Sequence, residues 1–122
     1  MAIADAFVPD ERAGAVNPLP RRFVVMTADG AIPIADGIVF LNKAGALAAT
    51  IDSPPTSMNG AVLRIVSLTD QAHTVTYATV GFNGDTTSGD VATFANAAGN
   101  AMELVAYGGV WYAVNLTGVT LA

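Results

Sequence analysis

Residues 101–116 read AMELVAYGGVWYAVNL, and the way this stretch pairs with itself decides the fold. Two strand-like runs flank Gly108-Gly109. A two-residue type I′ loop needs positive φ at both central positions, which glycine supplies without steric cost. Counting outward from the turn sets Tyr107 against Val110, Ala106 against Trp111, Val105 against Tyr112 and Leu104 against Ala113. Cross-strand partners share a face. One face therefore carries Val105, Tyr107, Val110, Tyr112 and Val114, and the other Met102, Leu104, Ala106, Trp111 and Ala113. Glu103 is the only charge. A hairpin apolar on both sides must be sandwiched in a core or covered by another subunit. The only Trp and two of the three Tyr lie here, so this hairpin is the anchor on which earlier strands pack.

Upstream of the hairpin, short apolar runs alternate with turn signals every 8 to 12 residues. Arg22–Thr27, Ile38–Leu41, Ala46–Ile51, Ala61–Leu68, His73–Tyr77 and Val91–Phe94 read as strands, and Val119–Leu121 as a final short one. Pro33 confines Ala31–Ile34 to an edge or bend. In AVLRIVSL, Leu63 and Ile65 point one way and Val62, Arg64 and Val66 the other. His73, Val75 and Tyr77 alternate with Thr74 and Thr76, the pattern of a strand with one buried face. Only the alanines of Ala44–Ala49 rival this reading as a helix, and they are short and glycine-flanked. The pattern predicts an all-β protein, a small antiparallel sandwich or barrel-like domain over residues 23–122. Residues 1–22 differ: Pro9, Pro18 and Pro20 break any helix or central strand, and no periodicity is sustained. They read as an extended N-terminal arm whose Phe7, Val8, Val16 and Leu19 are apolar enough to dock.

Composition narrows the function. Charged residues make up 12% and hydrophobic ones 52%, so a small domain has few charges with which to cover its surface. That shortage predicts an obligate homo-oligomer. A net charge of −5, with only Arg21-Arg22 adjacent, argues against nucleic-acid binding. No apolar run has the length of a membrane span, and MAIADAFVPDERAG lacks the basic start and apolar core of a secretory leader. Synthesis in the cytoplasm is expected. There is no cysteine, hence no disulfide and no thiolate metal site.

Candidate chemistry is thin. His73 is the only histidine, and in an alternating strand it reads as a structural imidazole bonded to neighbouring backbone. No Gly-x-Ser-x-Gly elbow accompanies it. Residues 82–90, FNGDTTSGD, faintly resemble a calcium loop, with oxygens on Asn83, Asp85, Thr87 and Asp90, but lack the spacing and closing Glu of an EF-hand. A hydrated loop without metal is the expectation. Asp29 with Asp36, and Asp85 with Asp90, sit on turn dipeptides, where Asp serves local backbone bonding. Neither enzyme activity nor a cofactor is expected. Trp111, Tyr112, Tyr107 and Tyr77 are read as core or subunit interface, with a sugar-stacking platform as the alternative.

The order of ADGAIPIADGIVFLNKAG (28–45), NGAVLRIVSLTDQAHTVTY (59–77), GFNG (81–84), VATF (91–94) and NAMELVAYGGVWYAV (100–114) resembles a β-rich module of tailed-bacteriophage virion proteins. Such modules occur on capsid decoration (cement) proteins and on head or tail fibres. The resemblance covers about three-quarters of the chain, and its most specific part is the apolar strand, glycine turn and Trp-Tyr. It implies a homotrimer on the outer capsid surface of the virion that binds the major capsid protein and stabilises the head. The alternative it carries is a fibre or a receptor- or glycan-binding module. The small size and the arm favour decoration. On this reading Phe7, Val8, Leu19, Arg21 and Arg22 of the arm clasp a neighbour or a capsid protein, and Trp111 and Tyr112 join the subunit or capsid interface.

Overall fold

The structure, a computed structural model, describes residues 22–85 and 87–122. Ten strands occur among them: β1 (Phe23–Met26), β2 (Gly30–Ala31), β3 (Gly37–Leu41), β4 (Ala48–Thr50), β5 (Val62–Ser67), β6 (Thr74–Thr76), β7 (Val91–Phe94), β8 (Ala101–Tyr107), β9 (Val110–Thr117) and β10 (Val119–Leu121). Single 3₁₀ turns form at Thr56–Met58 and Phe82–Gly84. The strands make two five-stranded sheets. Sheet one has the order β9-β8-β5-β3-β1, and sheet two β10-β7-β6-β4-β2. The protein is all-β, and the sheets do not close into a barrel.

The hairpin folds as its turn dictates. Gly108 and Gly109 have φ of 60° and 80°, and the register pairs Val110 with Tyr107, Trp111 with Ala106, Tyr112 with Val105 and Ala113 with Leu104. A bulge at Val114 then shifts the ladder, so that Asn115 pairs with Glu103.

The purely antiparallel arrangement expected from the turn spacing does not hold. β1, β3 and β5 are parallel neighbours, as are β2, β4 and β6. From β1 to β6 the chain alternates between the sheets, so each return to a sheet runs in the same direction as the last. This is a short two-faced roll. β7 and β8 then reverse against β6 and β5, and the ladders beyond them are antiparallel. A turn dipeptide marks where the chain bends, whether it bends back beside itself or crosses to the opposite sheet. Turn spacing therefore cannot distinguish a hairpin from a coil of a roll.

Corner side chains tie successive coils together. Asp29 Oδ1 accepts the Ala48 N–H at 2.9 Å, and Asp36 Oδ1 accepts the Val62 N–H at 2.9 Å. Asp70 Oδ1 accepts the Ala98 N–H at 2.7 Å. The turn aspartates thus satisfy backbone donors far along the chain, not only in their own turn. Gly37 lets β1 approach β3: a Cβ there would run into the Arg22 carbonyl oxygen, which accepts the Ile38 N–H.

The inner faces form one core. Sheet one contributes Met26, Val39, Leu41, Leu63, Ile65, Met102, Leu104, Ala106 and Trp111, and sheet two Ala49, Val75, Ala92, Phe94 and Val119. Trp111 is fully buried and its indole Nε1 donates to the Asp52 carbonyl at 2.9 Å. Tyr77, also fully buried, reaches Ser53 Oγ at 2.8 Å and donates to the Gly109 carbonyl at 3.3 Å. These two polar tips fasten the hairpin to the far sheet while their rings fill the core.

Candidate interaction surface

The two outer faces differ in chemistry. The registers of sheet one align Phe23, Ile38, Arg64, Glu103 and Asn115 in one outward row. A second outward row holds Val25, Phe40, Val66, Ala101 and Thr117. Val62, Val105 and Tyr112 follow, then Tyr107 with Val110. None of these side chains is buried; Phe23 is 62% and Tyr107 65% exposed. Phe23 and Phe40 meet edge to face, with ring centroids 6.1 Å apart. Apart from the Tyr107 and Tyr112 hydroxyls, only Arg64, Glu103, Asn115 and Thr117 of these residues are polar. The two charges pair with each other, Arg64 Nη2 to Glu103 Oε2 at 3.1 Å, leaving no net charge. A cavity of about 260 Å³ opens beside this pair, between Val66, Ala101, Asn115 and Thr117.

Sheet two turns the opposite chemistry outward. Its registers align Ala48, Thr74, Thr93 and Thr120, and beside them Thr50, Thr76 and Val91. Threonine has the β-branched shape that strands favour and a hydroxyl that water satisfies. Sheet two is thus suited to solvent, whereas sheet one presents a contiguous apolar area of the kind that marks a contact surface.

The residues anticipated as interface separate into three groups. Tyr112 lies on the apolar face, 40% exposed. Arg22 lies at the entrance to β1 and is exposed. Trp111 does not reach any outer surface; it points to the inner face, as its position opposite Ala106 requires. An interface or sugar platform built on Trp111 is therefore replaced by a core role, and the exposed hairpin aromatics are Tyr107 and Tyr112. Phe7, Val8, Leu19 and Arg21 lie outside the described residues.

His73 is a buried structural imidazole. Its Nδ1 accepts the Leu47 N–H at 2.9 Å, so the neutral ring carries its proton on Nε2, 2.8 Å from Thr69 Oγ1. Thr69 Oγ1 in turn donates to the Lys43 carbonyl at 2.8 Å. Desolvation first, and the Lys43 charge second, hold the imidazole below its ordinary pKa of 6.5. Both ring nitrogens are engaged within the fold.

Around Asp85 the described residues of the 82–90 loop fold on one another. Asp85 Oδ1 accepts from the Thr87 N–H, the Thr87 hydroxyl and the Ser88 N–H, and Oδ2 from the Ser88 hydroxyl. These bonds, the Thr87 hydroxyl foremost, lower the Asp85 pKa to about 2. Asn83, left-handed at φ 63°, turns its Oδ1 away from Asp85 to the Ala113 N–H, 2.9 Å distant on β9. The side-chain oxygens of Asp85 thus serve the loop's own donors, and that of Asn83 the edge of sheet one. Among the described residues no three His, Asp or Glu gather as a metal-ligating group.

Comparison of the chain with protein-family models, with curated proteins and with solved structures finds no match.

Proposed function

We propose that the protein is a structural assembly subunit, a trimeric decoration protein of a bacteriophage head, whose sheet-one face is its contact surface. The observation that carries this reading is the contrast between the two outer faces. A self-neutralised apolar face on sheet one, opposite a threonine face on sheet two, gives the molecule one side for protein and one for water. Three copies that turn their sheet-one faces together bury Phe23, Val25, Tyr107 and Tyr112. The trimer then offers a shell three equivalent contacts on one rigid body, so weak single contacts add up to tight attachment. The resemblance of residues 28–114 to virion modules supports the setting, and the shortage of charge supports the oligomer.

Light scattering on the purified chain tests the first step. A mass three times the 12.4 kDa of one chain is expected. A single-chain mass at tens of micromolar, with the face unaltered, overturns the reading. Binding to isolated phage heads tests the second step. A trimer that fails to sediment with any of them removes the capsid role and leaves the oligomer.

A further inference from the structure

The cavity beside Arg64 and Glu103 has a specific construction. Its base is Ala101, which stands in one outward row between Val66 and Thr117 and is shorter than either. Its polar wall is Arg64, Glu103 and Asn115. The β9 bulge puts Asn115 there: without the extra residue, Val114 would stand opposite Glu103. Bulges re-aim side chains in this way. Arg64 Nε and Nη2 both bind Glu103 Oε2, at 3.2 and 3.1 Å. Among the described residues, Glu103 Oε1 and the Asn115 amide have no hydrogen-bond partner. The cavity therefore presents an acceptor and a donor, no net charge, and apolar flanks. Glu103 repels an anion and Arg64 a cation. A neutral group that both donates and accepts, carried on an apolar body, suits it, and the tyrosine phenol is such a group.

The same face carries a tyrosine placed to dock. Tyr107, the most exposed large apolar side chain among the described residues, stands at the hairpin tip. The tip is held firmly. The Gly108 N–H donates to Asn59 Oδ1 at 2.9 Å, the Gly60 N–H to the Ala106 carbonyl at 2.7 Å, and the Tyr77 hydroxyl to the Gly109 carbonyl at 3.3 Å. Phe23, comparably exposed, is already engaged with Phe40. Tyrosine has few rotatable bonds, so it loses little entropy on docking and is a frequent interface anchor. Tyr107 does not reach the cavity of its own chain: it lies four residues from Glu103 along β8, about 14 Å. We infer that Tyr107 of one copy docks in the Arg64–Glu103–Asn115 cavity of the next, its O–H donating to Glu103 Oε1 and its oxygen accepting from the Asn115 amide. This rests on the reading of sheet one as the contact face of a trimer, and names the contact that holds it. Tip and cavity are different places on the surface, so the contact is head to tail, the kind that closes into a ring.

The chain has no cysteine, so a disulfide trap reads this contact without interference. The full-length variant Tyr107→Cys with Thr117→Cys carries one sulfur at the tip and one at the cavity. Thr117 pairs with Ala101, six positions from Tyr107, so the two sulfurs of one copy are about 20 Å apart and cannot join. Under mild oxidation this variant should run as a covalent trimer on a non-reducing denaturing gel. No cross-link, or a covalent dimer as the end product, overturns the inference. Tyr107→Cys by itself should stay uncross-linked; dimers from it mean that the tips meet each other, which also overturns it. Equilibrium sedimentation gives a second readout. Tyr107→Ala, and Ala101→Trp, which fills the cavity, should each raise the concentration at which the trimer half-dissociates by about tenfold or more. Because both remove the same contact, the variant carrying both should be no weaker than the worse single one. Losses that multiply, or no loss, overturn the inference. A parent chain that is itself monomeric at tens of micromolar removes the trimer reading and the docking with it. A trimeric parent whose variants are unchanged removes the docking and leaves the trimer.

Discussion

His73 shows how a residue that invites a catalytic reading is consumed by the fold. Its two nitrogens join the Leu47 backbone of one coil to Thr69 and, through it, to the Lys43 carbonyl. His73→Leu leaves the buried Leu47 N–H without its acceptor and takes from the half-buried Thr69 hydroxyl one of its two partners, and should cost about 2 kcal/mol in urea unfolding. The same imidazole sets a pH dependence. Its folded pKa lies below 6.5, so the unfolded chain takes up a proton that the folded chain refuses. The neutral state's stability is complete above pH 6.5 and declines as pH falls below it, with a slope of at most one proton. Asp85 acts in a lower window. Its contribution is full above 3.8 and fades as pH drops toward about 2. Thermal midpoints between pH 8 and 3 should therefore fall in two stages, and His73→Leu should remove the upper stage only.

At the scale of the element, the edge of sheet one depends on a single amide side chain. Asn83 accepts the Ala113 N–H one residue before the β9 bulge. Asn83→Gly keeps the left-handed backbone accessible and removes the acceptor. It should cost about 1 kcal/mol and speed exchange at Ala113. Asn83→Ala loses the acceptor and also strains φ, so it should be less stable than the glycine variant by a further amount near 1 kcal/mol. Gly37 is the counterpart on β3. Gly37→Ala brings a methyl group onto the Arg22 carbonyl and should detach β1, read as loss of amide protection at Val24 and Met26.

At the scale of the whole molecule, what matters is that the two outer faces are unlike. Tyr107→Asp with Tyr112→Asp puts two charges on the apolar face and should reduce the light-scattering mass toward one chain. Thr93→Asp with Thr120→Asp places the same charges on the threonine face and should leave the mass unchanged. Equal effects from both pairs would mean that the faces do not differ in role. The Arg64–Glu103 pair is exposed and worth about 0–1 kcal/mol to folding, so Arg64→Leu should leave stability nearly unchanged while enlarging the apolar face.

The hairpin from Ala101, its register through Ala113, the alternation in Val62–Ser67 and Thr74–Thr76, and the structural role of His73 were all legible in the residues. Each follows from period-two geometry or local turn chemistry, which act between neighbours in the chain. Strand direction was not legible, because the same turn signal serves a hairpin and a crossing between sheets. Nor was the fate of Trp111, whose inward face was correctly paired but which only the opposite sheet, through Asp52, could bury. The long-range duties of Asp29, Asp36 and Asp70 were likewise hidden, since a side chain's distant partner depends on which coils stack. Sequence by itself determined where strands run and which side chains share a face, because those depend on local periodicity. Tertiary structure decided which face meets the core and which meets the outside, because burial is settled between segments far apart in the chain.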